Sequence, residues 1–235
     1  MRSPTTEFFL RIPGARWAPL FLAAGIAACS SNNSGTGGTP VHLTLVTGAS
    51  INATVGTVIG PIEVRVTDAD TLPVQGVSVT FAATGGATFS VTTAATDDQG
   101  QVLTTLTLPH TAGTVTVTAT AAGIATPISF QDVALADVPS TMNGSGNNQT
   151  GAKGTLLGEP IGVAVADQFG NPVAGVTIAW TTTGGTLSLA SSRTNASGAA
   201  QTQLTLPDVA GPVMVTGSAL LGSTTKTVNF TATAN

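Results

Sequence analysis

The sequence predicts an all-β protein built as two tandem antiparallel β-sandwiches. Three observations carry this expectation. The chain repeats itself at an offset of 99 residues, so the repeating unit is a whole domain rather than a solenoid turn. Within each unit apolar and polar residues alternate, the period of a strand with one face buried. Finally, 42 of 235 residues are Thr and only 8% are charged. A β-branched, charge-poor composition favours strands and leaves too few charges for long solvated helices, a coiled coil or polyelectrolyte disorder.

In chain order, the first element is an address rather than part of the fold. Arg2, Arg11 and Arg16 precede the apolar run Trp17 to Ala28, whose 12 residues are too few to span a bilayer but suit a secretory signal. The run ends in Ile26-Ala27-Ala28-Cys29, which contains the chain's single cysteine. This string resembles the lipobox of bacterial lipoproteins, and the resemblance implies that residues 1–28 are a lipoprotein signal peptide. It further implies that Cys29 is acylated and that Ser30 behind it directs the protein to the outer membrane. Two acyl chains, at about 0.8 kcal/mol per buried methylene, hold a protein at a membrane without any transmembrane helix. Residues 29–40, largely Ser, Asn, Gly and Thr, read as a flexible tether.

The repeat begins beyond the tether, with 41–136 expected as the first sandwich and 137–235 as the second. Pro61-Ile-Glu-Val-Arg-Val-Thr-Asp68 matches Pro160-Ile-Gly-Val-Ala-Val-Ala-Asp167. Pro73-Val-Gln-Gly-Val-Ser-Val-Thr-Phe81 matches Pro172-Val-Ala-Gly-Val-Thr-Ile-Ala-Trp180. After a one-residue deletion, Leu106-Thr-Leu-Pro109 matches Leu204-Thr-Leu-Pro207. Inward phases are assigned to Ile62, Val64 and Val66, to Val77, Val79 and Phe81, to Leu106 and Leu108, and to Val115, Val117 and Ala119. Ile128 to Phe130 and Val228 to Phe230 close the two copies. About seven short strands per copy, with turn residues between them, is the pattern of a two-sheet sandwich. Asn143 to Gly154 reads as a loop inside the second copy.

The string Asp167-Gln-Phe-Gly170-Asn171-Pro172-Val173 reads as a tight turn, because Gly170 and Asn171 tolerate positive φ and Pro172 fixes the exit. The first copy has Asp68-Ala-Asp70-Thr71-Leu72-Pro73 instead. Thr and Leu disfavour left-handed backbone, so this turn is expected to differ in shape. The order PI-x-V-x-V-x-D, GNPV-x-GV, an aromatic, GG, a polar turn ending in Gly, then L-x-L-P and V-x-V resembles the bacterial immunoglobulin-like domain of the invasin/intimin group. The resemblance covers residues 41–235 as two copies, the second being the fuller match. It implies immunoglobulin-like sandwiches that serve in adhesion or as stalks.

Composition also excludes functions. Beyond the signal, four basic residues stand against ten acidic ones, a net charge of −6, and Tyr is absent. That removes the basic field and most of the aromatic stacking platforms of a nucleic-acid binder. One Cys excludes intrachain disulfides and thiolate metal cages. His42 and His110 are the only histidines, neither in a motif, and no nucleophile elbow, phosphate loop or paired-histidine site occurs. An enzyme is not expected, and no cofactor is required. The turns and the domain junction offer Ca²⁺ ligands in Asp68 with Asp70, Asp97 with Asp98, and Asp132 with Asp137, though without a twelve-residue calcium-loop pattern. Asn195 stands where Asp97 would recur, which weakens an acidic function common to both copies. Phe169 and Phe89 are the aromatics expected at the surface and so the candidate ligand contacts. The sequence points to a non-catalytic, lipid-anchored cell-envelope spacer, adhesion or interaction module with a protein or glycan partner. The alternative is an accessory carbohydrate- or polymer-binding lipoprotein supporting a separate enzyme.

Overall fold

The computed structural model describes residues 38–48 and 50–235; the signal segment, Cys29 and the tether up to residue 37 lie outside the described residues. Among the described residues there are nineteen strands and no helix. The first copy contains β1 (His42–Thr47), β2 (Asn52–Thr54), β3 (Val58–Thr67), β4 (Ser78–Ala83), β5 (Thr88–Phe89), β6 (Thr93–Ala95), β7 (Gln101–Thr107), β8 (Gly113–Ala121) and β9 (Ile128–Leu135). The second contains β10 (Thr141–Ser145), β11 (Gln149–Gly151), β12 (Ile161–Ala166), β13 (Thr177–Thr182), β14 (Thr186–Leu187), β15 (Ser191–Arg193), β16 (Ala199–Thr202), β17 (Leu204–Thr205), β18 (Gly211–Leu221) and β19 (Thr224–Ala234).

Each copy is a sandwich. In the first, a sheet of order β1-β3-β7-β5 faces one of order β2-β9-β8-β4-β6. In the second, β11-β19-β18-β13-β15 faces β10-β12-β16 and the short pair β14-β17, a break at Gln203 dividing the strand that is continuous as β7 in copy one. The alternation read from sequence is the alternation of burial. Ile62, Val64, Val66, Val79, Leu106, Val115 and Val117 are buried in one core, and Ile178, Trp180, Leu204, Val213, Val215 and Phe230 in a separate one. Fully burying such a side chain contributes roughly 1.5–3 kcal/mol, so the two cores rather than polar contacts supply most of the stability.

Three sequence expectations change. The closing strands run well past Phe130 and Phe230, to Leu135 and Ala234. Asn143 to Gly154 is not simply a loop: it contributes to β10, which pairs with β12, and forms β11, which pairs in parallel with β19. The short apolar content of these segments hid them, since Gly144 packs where a Cβ would meet the Phe230 ring at 2.6 Å.

The third correction concerns the turn after β3. Thr71 and Leu72 do not reshape it. Asp68 N–H bonds Leu72 O and Thr71 N–H bonds Asp68 O, as Asp167 N–H bonds Asn171 O and Gly170 N–H bonds Asp167 O. Thr71 accordingly sits at φ 65, where copy two has Gly170 at φ 87. The Asp68 carboxylate enforces the shape by accepting the N–H groups of Asp70 and Leu72 at 3.0 and 2.9 Å. A β-branched residue in this region is strained. Thr71→Gly should therefore stabilise the first copy by about 0.5–1 kcal/mol despite the extra freedom of glycine when unfolded, measured as a rise in the urea midpoint at unchanged slope.

Candidate functional site

The densest polar network among the described residues lies where the two copies meet. Its centre is Asp167, at the end of β12 and 1% exposed. Its Oδ1 accepts the N–H groups of Phe169 and Asn171 at 2.8 and 2.9 Å. Its Oδ2 accepts the Asp137 N–H and the Asn171 Nδ2, each at 2.9 Å. Burial pushes this carboxyl up, but the Asn171 amide and the N–H groups of Asp137, Asn171 and Phe169 outweigh it and hold it below the ordinary carboxylate value. The segment entering copy two is thereby pinned: Ser140 N–H also bonds Ala166 O, and Gln168 Nε2 donates to Asp137 Oδ2 at 2.9 Å.

Asn171 turns this local cap into a contact between copies. Its Nδ2 donates to His110 O and its Oδ1 accepts the Ala112 N–H, both at 2.8 Å. Beside it Phe169 lies on the His110 ring, with centroids 4.2 Å apart and planes inclined by 31°. Gly56 admits the imidazole, since a Cβ there would stand 3.1 Å from its Cε1. Phe169 is thus 42% exposed yet committed on one face to a partner within the chain. Phe89 is half-buried and tilted against Phe81 at 5.5 Å, packed on the first core. His42 stays exposed in β1, away from this network.

The acidic candidates do not converge. Asp68 has Oδ1 on its own turn and Oδ2 on the Gly38 N–H at 2.9 Å, the counterpart of Asp167 on Asp137. The Gly38 N–H first, then those of Leu72 and Asp70, hold its carboxyl below the ordinary value against burial. Asp97 Oδ1 caps its turn by accepting from Gln99 and Gln101, and Asn195 Oδ1 does the same for Ser197 and Ala199. The charge at Asp97 is therefore incidental to the role of the position. Asp70 and Asp98 are exposed, Asp137 is tied to Gln168, and Asp132 is buried alone in the first core. Among the described residues no three His, Cys, Asp or Glu side chains come together as a metal site.

Sequence reasoning missed two buried threonine pairs. Thr96 Oγ1 donates to Val74 O and accepts the Val77 N–H, and Thr194 repeats this with Val173 and Val176. Thr104 and Thr202 clasp both backbone groups of Val91 and Leu189 in the same way. The signal was available: a hydroxyl on the inward phase, repeated in both copies. These residues satisfy irregular backbone and offer no reactive group.

Comparison with known proteins agrees with this architecture. The family profile described as bacterial Ig-like domain (group 1) matches residues 60–135 and 159–233. No curated protein matches the chain. Among solved structures, InvD of Yersinia pseudotuberculosis is similar at 17% identity with a TM-score of 0.53, over 84% of this chain and 57% of that one. Invasin, described as a bacterial integrin-binding protein, is similar at 25% identity with a TM-score of 0.38, over 81% of this chain and 39% of that one. The D0-D1 domain of intimin is similar at 20% identity with a TM-score of 0.33, over 81% and 98%.

Proposed function

Because this chain belongs to the bacterial Ig-like domain (group 1) family, we propose that it is a non-catalytic, lipid-anchored spacer of the bacterial cell envelope. In this reading acylated Cys29 holds it at the outer membrane, and two coupled sandwiches present loops and strand edges to a protein or glycan partner. The observation that carries the reading is the junction. A chain that only needed two independent binding modules would have no use for Asn171 bonding His110 O and the Ala112 N–H, or for Phe169 on His110. Such contacts restrict the angle between the copies, which is what a spacer needs in order to convert length into reach. Phe169 and Phe89 both spend ring surface within the chain, which favours spacing over the accessory glycan-binding alternative. Calcium forms no part of this reading, since both oxygens of Asp68 and the Oδ1 of Asp97 already accept backbone N–H groups.

One pair of measurements tests the proposal. Backbone ¹⁵N relaxation should give one shared correlation time for the two copies of the native protein, and two shorter ones after Phe169→Ala with Asn171→Ala. Cys29→Ser should move the protein from the membrane to the soluble fraction. Independent tumbling of the native copies, or membrane retention without Cys29, overturns the reading.

A further inference from the structure

Of the three buried carboxylates among the described residues, Asp68, Asp132 and Asp167, two have every oxygen engaged; Asp132 does not. It is 0% exposed on β9, paired across from Val115 on β8. Its Oδ1 accepts the Ile51 N–H at 2.7 Å, while its Oδ2 is buried with no hydrogen-bond partner. At the matching position copy two has Ala232, paired with Val213 and buried. The flanking strands β2 and β8 and β7 of the opposite sheet contain no ionisable residue. β1 offers only His42, exposed at its start, and β3 offers Glu63 and Arg65 on the phase opposite the buried Ile62, Val64 and Val66. No cation on these elements faces the carboxylate, and an isolated buried charge is costly.

We propose that Asp132 is a proton-operated clasp on the β2–β9 edge of the first copy. Protonated, it is neutral, keeps the Ile51 N–H and holds the segment before β2 against β9. Ionised, it leaves a charge with one unpaired oxygen in the core, and this edge loosens. Burial pushes the carboxyl above its ordinary value, opposed by the Ile51 N–H. The folded state then binds the proton more tightly than the unfolded state. The stabilising contribution is full below the ordinary value of 3.8 and is lost as the pH rises through the raised folded value. Asp68 works in the other direction, its contribution present above 3.8 and lost as the pH falls through its lowered folded value. The first copy therefore tightens on acidification through Asp132, and the second, with Ala232, does not respond at this position.

The Ile51 amide reports the state of its acceptor directly. In ¹⁵N-correlated spectra of the whole protein from about pH 3 to about pH 8, its shift should inflect above the ordinary carboxylate value of 3.8. Asp132→Asn should abolish that inflection, raise Tm at neutral pH by about 4 °C or more, and give no such gain at about pH 3. An Ile51 inflection at or below that ordinary value overturns the proposal, as does an unchanged neutral-pH Tm in a folded Asp132→Asn variant. Should the variant fail to fold, the titration of native Ile51 decides alone.

Discussion

Changing Asp167 to alanine is expected to lower the stability of the second copy by about 3 kcal/mol and to free it from the first in the same step. The substitution strands four donors, the N–H groups of Asp137, Phe169 and Asn171 and the Asn171 Nδ2, around a residue 1% exposed. Each buried donor left unpaired costs about 1–3 kcal/mol, offset in part because the turn relaxes toward water. Without the carboxylate Asn171 loses the bonds that orient it, so its contacts to His110 and Ala112 go as well. Asp167→Asn separates charge from shape: it can accept at one oxygen but presents an NH₂ to two donors, and it should recover less than half of the loss. Urea unfolding followed by Trp180 fluorescence reads the stability, and tumbling reads the coupling. The pH dependence has a definite sign. The Asp167 carboxyl is held below its ordinary value, so its contribution is present at neutral pH and disappears as the pH falls through the lowered folded value. A variant as stable as the native protein, with one shared correlation time, would show that the network is incidental.

The sequence carried the strands and cores clearly because a period of two with apolar residues on one phase has few other solutions. Val64, Val79, Val117 and Val215 are all 0% exposed, as their phase requires. Where one residue type serves two purposes, the pattern misleads. The backbone preference of Thr71 argues against this turn, whereas the Asp68 carboxylate, bonded to Asp70, Leu72 and Gly38, decides it. Asp132 groups in sequence with Asp137 near the domain junction, although its spacing from Ile128, Phe130 and Ala134 puts it on their phase. The junction lay beyond reach for a different reason. His110 and Phe169 are remote in sequence, and nothing local to either names the other; only the fold places their rings 4.2 Å apart.

The repeat also contains its own double-mutant experiment. Trp180 is 3% exposed in β13 and pairs across with Gly217 in β18, its Nε1 bonded to Ser192 Oγ at 2.9 Å. At the matching places the first copy has Phe81, Ala119 and Ala94. A larger ring thus faces a bare glycine and a hydroxyl, and a smaller ring faces two methyl groups. A Cβ on Gly217 would stand 2.7 Å from Trp180 Cζ3, closer than carbon atoms pack, so Gly217→Ala should cost about 1–3 kcal/mol by forcing the indole aside. Trp180→Phe should cost about 1–2 kcal/mol through the void it opens and the lost bond to Ser192. If the copies are alternative solutions to one packing problem, the two changes together cost less than their sum by at least about 1 kcal/mol. Adding Ser192→Ala, which completes the first copy's set, should recover more, because no hydroxyl is then left beside a ring that cannot donate to it. Urea midpoints followed by circular dichroism measure all four variants on one scale. Strict additivity would mean that the surrounding second core, with Phe230 at 6.2 Å from Trp180, rather than the cross-strand pair fixes ring size at this position.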